Sequence, residues 1–217
     1  MAQSMGAMGI MAAGFNFSAA AEDEFHDWYD TEHVPQRLRV PGFINAERWI
    51  GVDDPKVAFA TYDLDTIGVL QSAPYCAFTG INQSPWTKRI EHQMKKLGRF
   101  VGEQLTPGRV AAPPSAGGLL FFAMNVDPAA EAEFNQWYDT EHLPALAAVP
   151  GCLCARRFKS SDDATQKYFA IYHLDTPEVA TSKAWKHAVA TPWTGKILKH
   201  TSAHLSARLR RYVRTAA

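Results

Sequence analysis

The chain has 217 residues, 47% of them hydrophobic, and its 22 Lys+Arg are matched by 22 Asp+Glu. That length suits one domain or two small ones with a buried core, and the balanced charge, with no long basic run, excludes an electrostatic partnership with nucleic acid or an anionic membrane. Cys76, Cys152 and Cys154 are too few for a disulfide framework and do not make a four-ligand zinc site, so they read as reduced thiols packed as small hydrophobes.

Residues 1–14 are rich in Met, Ala and Gly and carry no basic residue. They lack a secretory n-region, and no run reaches the roughly 18 apolar residues of a spanning helix, so the expectation is a short lead into the first strand of a cytoplasmic protein. That strand is predicted over residues 9–17. The acidic run Ala21-Glu22-Asp23-Glu24 opens a helix carrying Trp28-Tyr29-Asp30-Thr31-Glu32-His33, which Pro35 is expected to end or kink. Val40-Pro41-Gly42 makes a turn, residues 43–50 and 57–65 read as strands, a helical region holds Ser84-Pro85-Trp86-Thr87, and residues 98–105 close the first half. Residues 107–117 form a Pro/Gly linker by composition. The same order then returns. A strand is predicted over 119–126, and Asp127 is the N-cap of a helix with Pro128 in its first turn. Trp137-Tyr138-Asp139-Thr140-Glu141-His142 and Pro144 follow, then Val149-Pro150-Gly151, strands over 152–158 and 167–175, Thr191-Pro192-Trp193-Thr194 and a last strand over 206–213.

Residues 24–48 match residues 133–157 without a gap at 14 of 25 positions. The chain therefore reads as internally duplicated, with a first repeat over residues 8–106, the linker 107–117 and a second repeat over 118–217. Strand–helix–strand–strand–helix–strand is the ferredoxin-like βαββαβ order. Two such antiparallel sheets packed face to face bury one face each around a lined cavity. The predicted fold is α+β: a pseudo-dimeric α+β barrel made by one chain. The motif, an acidic residue, Phe, two residues, Trp-Tyr-Asp-x-Glu-His-x-Pro, then Val-Pro-Gly and an Arg-bearing strand, resembles the dimeric α+β barrel superfamily and within it EthD-like proteins of bacterial degradation pathways. The resemblance covers nearly the whole chain. It implies the fold but no single reaction, because relatives include cofactor-free monooxygenases, lactone and chalcone isomerases, polyketide cyclases and haem-binding enzymes.

On a helical wheel of about 100° per residue, Phe25, Trp28, Tyr29 and Glu32 share a face, and His33 borders it roughly 140° from Trp28. Phe134, Trp137, Tyr138, Glu141 and His142 repeat the arrangement, while Asp23, Asp27, Asp30 and Asp139 point outward. A carboxylate on a buried face needs a partner. Glu32 and Glu141 therefore either form an acid–base set with His33 and His142 facing the cavity, or anchor the Val-Pro-Gly turn through backbone N–H groups. Burial by itself would raise their pKa, and Arg48 or Arg157, on reaching them, would lower it. Asn16 and Asn125 end the first strand of each half, where an amide either holds a substrate carbonyl or caps a turn. Tyr62 and Tyr172 donate into the cavity or pack. Trp28, Trp137, Trp86 and Trp193 supply aromatic walls, the last two sealing a cavity end. The halves differ at Asp63/His173, Asn45/Cys154 and Glu47/Arg156; Asp63 and His173 end equivalent strands as parts of an asymmetric site or as exposed strand ends.

The favoured function is a cofactor-independent isomerase, lyase or cyclase acting on an aromatic, lactone or polyketide-like small molecule. His33 or His142 moves the proton, with His173 as the asymmetric choice, and Asn or Tyr stabilises the enolate or phenolate. No nucleotide site is expected, since no Gly-rich phosphate loop occurs, and no metal site, since the histidines are scattered along the chain and Glu32 and His33, being adjacent, point in different directions. One alternative is non-covalent haem binding through His33, His142, His173 or His187; another is a non-catalytic small-molecule binder. Sheet edges needing cover favour homo-oligomers.

Overall fold

The computed structural model describes residues 6–161 and 164–214; the start of the N-terminal lead and the last residues of the second repeat lie outside them. Strand alternation decides the layers. In β3 (Val57–Leu64), Phe59 faces one core while Ala58, Ala60, Tyr62 and Leu64 belong to another. The strand is apolar on both faces because both are covered. The other strands are β1 (Gly9–Asn16), β2 (Glu47–Gly51), β4 (Lys95–Thr106), β5 (Gly118–Val126), β6 (Cys152–Ser160), β7 (Tyr168–Leu174) and β8 (Thr201–Arg211). They form a closed antiparallel barrel in the order β1-β3-β2-β8-β5-β7-β6-β4. Within it, β4-β1-β3-β2 and β8-β5-β7-β6 run in the same relative order. Two seams join these groups: β2 with β8 through Trp49 opposite Arg211, and β4 with β6 through Gly102 opposite Ser160.

The space expected between two stacked sheets is largely taken up by side chains. Trp49, Phe59, Phe100, Phe121, Phe158 and Phe169 meet inside the barrel with Ile10, Leu119, Ile171 and Leu209. An eight-stranded barrel leaves an interior just wide enough for such side chains to fill. One cavity lies outside the barrel, beneath the helices of the second half.

The helices are α1 (Glu22–Trp28), α2 (Val34–Leu38), α3 (Ala73–Cys76), α4 (Pro85–His92), α5 (Glu131–Trp137), α6 (Leu143–Ala147), α7 (Lys183–Val189) and α8 (Pro192–Ile197). Ser72, Ser84, Ser182 and Thr191 cap α3, α4, α7 and α8 with their side-chain oxygens, as small hydroxyl residues before a helix do. Pro35 and Pro144 do not end their helices. Each sits in the first turn of a segment that continues to Leu38 or Ala147. The Val-Pro-Gly turns need their glycines: Gly42 has φ +97° and Gly151 φ +86°, a region closed to most side chains. The strand predicted from residue 43 begins only at Glu47, Phe43 making a single bridge to Leu64. No described helix is long and apolar enough to cross a membrane.

Candidate functional site: a pocket between helices and barrel

Tyr29–His33 and Tyr138–His142 are π-helical turns. Val34 N–H donates to Tyr29 O and Leu143 N–H to Tyr138 O, five residues back. Proline clashes with the carbonyl four residues before it, and the wider turn ahead of Pro35 and Pro144 relieves that clash. The turn also moves the histidine. On a regular wheel Trp28 and His33 diverge, whereas their rings stand 4.3 Å apart, and those of Trp137 and His142 4.2 Å. The histidines thus reach the buried face that ordinary α-helical spacing denies them.

The carboxylates take neither of the two expected positions. Glu32 Oε1 accepts from Ser84 Oγ at 2.6 Å and Thr87 Oγ1 at 2.8 Å; Glu141 Oε1 accepts from Thr191 Oγ1 at 2.6 Å. They hold the capped starts of α4 and α8, not the Val-Pro-Gly turns. Trp28 Nε1 donates to Thr87 Oγ1 at 3.0 Å and Trp137 Nε1 to Thr194 Oγ1 at 3.2 Å, so these tryptophans secure the same junctions. Nor do the arginines reach the glutamates: Arg48 pairs with Asp30 and with His26 Nδ1, and Arg157 with Asp139 at 3.3 Å and with Asn135. Asp30 and Asp139 thus lock helix to sheet.

A cavity of about 290 Å³ opens in the second half, lined by Leu120, Phe122, Met124, Trp137, Tyr138, His142, Leu146, Tyr172, Trp185, Val189, Thr194, Leu198 and Ser206. Its size falls at the lower edge of the roughly 300–1,000 Å³ of drug-sized ligand sites. Leu198, 42% exposed, stands at its mouth. The equivalent positions of the first half share Trp28, Tyr29, His33, Tyr62 and Thr87, but Leu146 is replaced by Arg37, Leu198 by Glu91 and Ser206 by Arg99. Arg37 is buried, donates to His33 O at 3.3 Å and lies over Phe78 at 5.2 Å; Arg99 reaches Met11 Sδ at 3.7 Å. Long charged side chains occupy the first half where the second keeps an apolar hollow.

His142 Nδ1 is buried without a hydrogen-bond partner among the described residues, leaving Nε2 as the nitrogen reachable from the pocket. Burial first, then Arg157, lowers its pKa from 6.5 to about 4. His33 falls well below 6.5, through burial and then Arg37 and Arg48. Both rings are neutral at pH 7. The Tyr172 hydroxyl is likewise buried without a described partner, and burial raises its pKa well above 10.

The remaining predicted residues lie elsewhere. Asn16 Oδ1 accepts from Ser18 N and its amide reaches Asp54; Asn125 joins Thr165 O and Lys167 N, so both tie loops. Trp86 and Trp193 donate to Glu24 and Glu133 at 3.2 and 3.1 Å, outside the pocket lining. His187 is exposed on α7. Asp63 and His173 are not exposed strand ends; both point into one end of the barrel, 1% and 0% exposed. Asp63 takes Arg156, Asn45 and Ala112 N, and His173 lies 3.4 Å from Glu47. Burial pushes the Glu47 carboxyl up, but His173 and Arg211 outweigh it and hold it below the usual range. No cluster of three or more His, Cys, Asp or Glu side chains placed to hold a metal occurs among the described residues.

No protein-family profile matches the chain, and no curated protein matches it. Solved structures do. An anthrone oxidase-like protein is 13% identical, with 94% of this chain and 92% of that chain covered and a TM-score of 0.61. A chlorite dismutase from Candidatus Nitrospira defluvii in complex with imidazole is 15% identical, over 95% of this chain and 91% of that chain, with a TM-score of 0.61. Others are provisionally named monooxygenases. At these identities the likeness shows the fold alone, that of dimeric α+β barrel proteins. The lining does not suit haem: no Lys or Arg stands in it to hold propionates.

Proposed function

We propose that the second-half pocket binds a flat, mostly apolar aromatic or polyketide-like molecule carrying one acidic hydroxyl or carbonyl, and that His142 exchanges a proton with it. The observation that carries this reading is the pocket's asymmetry. Both halves keep the Trp-Tyr-His-Tyr-Thr set, and only the second surrounds it with Leu146, Val189, Leu198 and Ser206. Apolar walls exclude water, which strengthens the few polar contacts made inside. His142, neutral because its pKa is about 4, enters as a proton acceptor. The phenolate or enolate formed beside it raises the imidazolium pKa by direct attraction, so the low resting value does not forbid the transfer. Tyr172, with its hydroxyl otherwise unpartnered, supplies a donor to the developing oxyanion. Glu141 and Thr191 hold the helix ends that shape the pocket.

This reading places the chain among cofactor-independent isomerases, lyases or cyclases of the EthD-like kind, working in the cytoplasm. It takes the halves as duplicated ferredoxin-like repeats over residues 8–106 and 118–217 and leaves room for homo-oligomers. The test is an absorption spectrum of the purified protein from about 250 to 700 nm, with mass spectrometry of what denaturation releases. A released aromatic or lactone bound once per chain, and lost from His142→Gln, supports the reading. A Soret band with stoichiometric haem overturns it.

A further inference from the structure

Three pairs of equivalent positions that differ between the halves meet in one layer inside the barrel. Glu47 stands opposite Thr61 as Arg156 stands opposite Ile171, and Asp63 and His173 follow two residues later on β3 and β7. Gln104 and Arg211 are equivalent on β4 and β8, their backbone N–H groups bonding Met8 O and Gly117 O. The contacts run between the halves. Arg156 Nη1 lies 2.7 Å from Asp63 Oδ1, His173 Nε2 lies 3.4 Å from Glu47 Oε2, and Arg211 Nη2 lies 2.7 Å from Glu47 Oε1. The side chains of Asp63, Glu47, Arg156 and His173 are all at most 6% exposed.

The first two contacts are the same contact made twice with the carboxylate on opposite sides. Position 63 meets position 156 as Asp on Arg; position 173, the equivalent of 63, meets position 47, the equivalent of 156, as a His on Glu, and Arg211 supplies the cation that pairs with that Glu. Two halves bearing the first set of letters would set Asp against Glu in both places. Two halves bearing the second would set Arg against His and leave the buried Arg without a carboxylate. Only the mixed pairing gives each buried Arg an acid, and facing acids or an uncompensated buried guanidinium are costly enough to decide between assemblies.

We infer that Glu47, Asp63, Arg156, His173 and Arg211 form a pairing code that lets a first half close a barrel only with a second half, so that two first halves or two second halves of neighbouring chains do not pair. The inference rests on the equivalence of the halves and is independent of what the pocket binds.

The test exchanges one contact and then whole sets. His173→Asp, which faces acid with acid, lowers the melting temperature; so does Glu47→Arg with Arg211→Gln, which buries a guanidinium with no acid to pair it. Each shifts the folding equilibrium on the order of 100-fold. Glu47→Arg, His173→Asp and Arg211→Gln together restore the contact with its sign reversed and regain most of that loss, which a role in packing alone would not allow. A full-length acidic chain (Arg156→Glu, His173→Asp) and a full-length basic chain (Glu47→Arg, Asp63→His) each fail as monomers and, co-expressed, form a one-to-one complex. The inference is overturned if His173→Asp keeps the parental melting temperature, if the triple variant melts no higher than its parts, or if either chain alone gives a folded monomer or homodimer.

Discussion

His33 and His142 hold the same place in the two halves, against the tryptophan five residues earlier, yet only His142 looks onto open space. The difference is made by neighbours, Arg37 beside the one and Leu146 beside the other. His142→Gln removes the imidazole while retaining a polar side chain, and is expected to weaken binding of a phenolic or enolic ligand about tenfold or more with little change in melting temperature; isothermal titration checks it. Acid reads the burial directly. Unfolded histidine takes up its proton near 6.5 and the folded His142 only near 4, so between those values the unfolded state binds more protons. Stability therefore falls as pH drops from 6.5 towards 4, by about 3 kcal/mol from this group, and levels off below. His26, lowered to about 4 by burial and Arg48, acts in the same direction. Urea unfolding at pH 7 and pH 4 measures the sum, and equal midpoints would contradict it. Tyr172→Phe deletes a hydroxyl with no described partner, so the free protein should lose little or no stability while ligand binding weakens.

Helical periodicity found the stripe of Phe, Trp and Tyr but assumed a regular turn. The π-helical turn ahead of each proline is a feature of backbone packing that spacing rules do not contain, and it carries the histidine inward. The repeated proline after the repeated block was the available signal, and it reads as a helix end unless the helix has reason to continue. At this scale Glu141→Gln tests the glutamate's part. Its carboxylate accepts from Thr191, so the change should cost about 1–2 kcal/mol through a looser start of α8, seen as a lower denaturation midpoint. Gly151→Ala forces a Cβ into a positive-φ turn, 2.7 Å from Val179 Cγ2, and should cost more than about 1 kcal/mol in the same assay.

Across the whole molecule, the barrel is held by a filled interior and not by a chamber. Phe121 touches Phe59, Phe100 and Phe169 and is fully buried; Phe121→Ala should cost about 3–5 kcal/mol in unfolding experiments without altering the second-half pocket. The α+β class, most of the strands and the paired Val-Pro-Gly turns were legible in the amino acids, because periodicity and turn chemistry are local. The letters that differ between the halves were visible too, but their meaning was not. Asp63, His173, Glu47 and Arg156 are far apart in the chain, and only closure of the barrel brings acid to base. The same closure packs side chains into the space between the sheets. Which half keeps an open cavity beside its histidine depends on whether Arg37 or Leu146 stands there, a matter of volume and contact that no run of residues expresses alone.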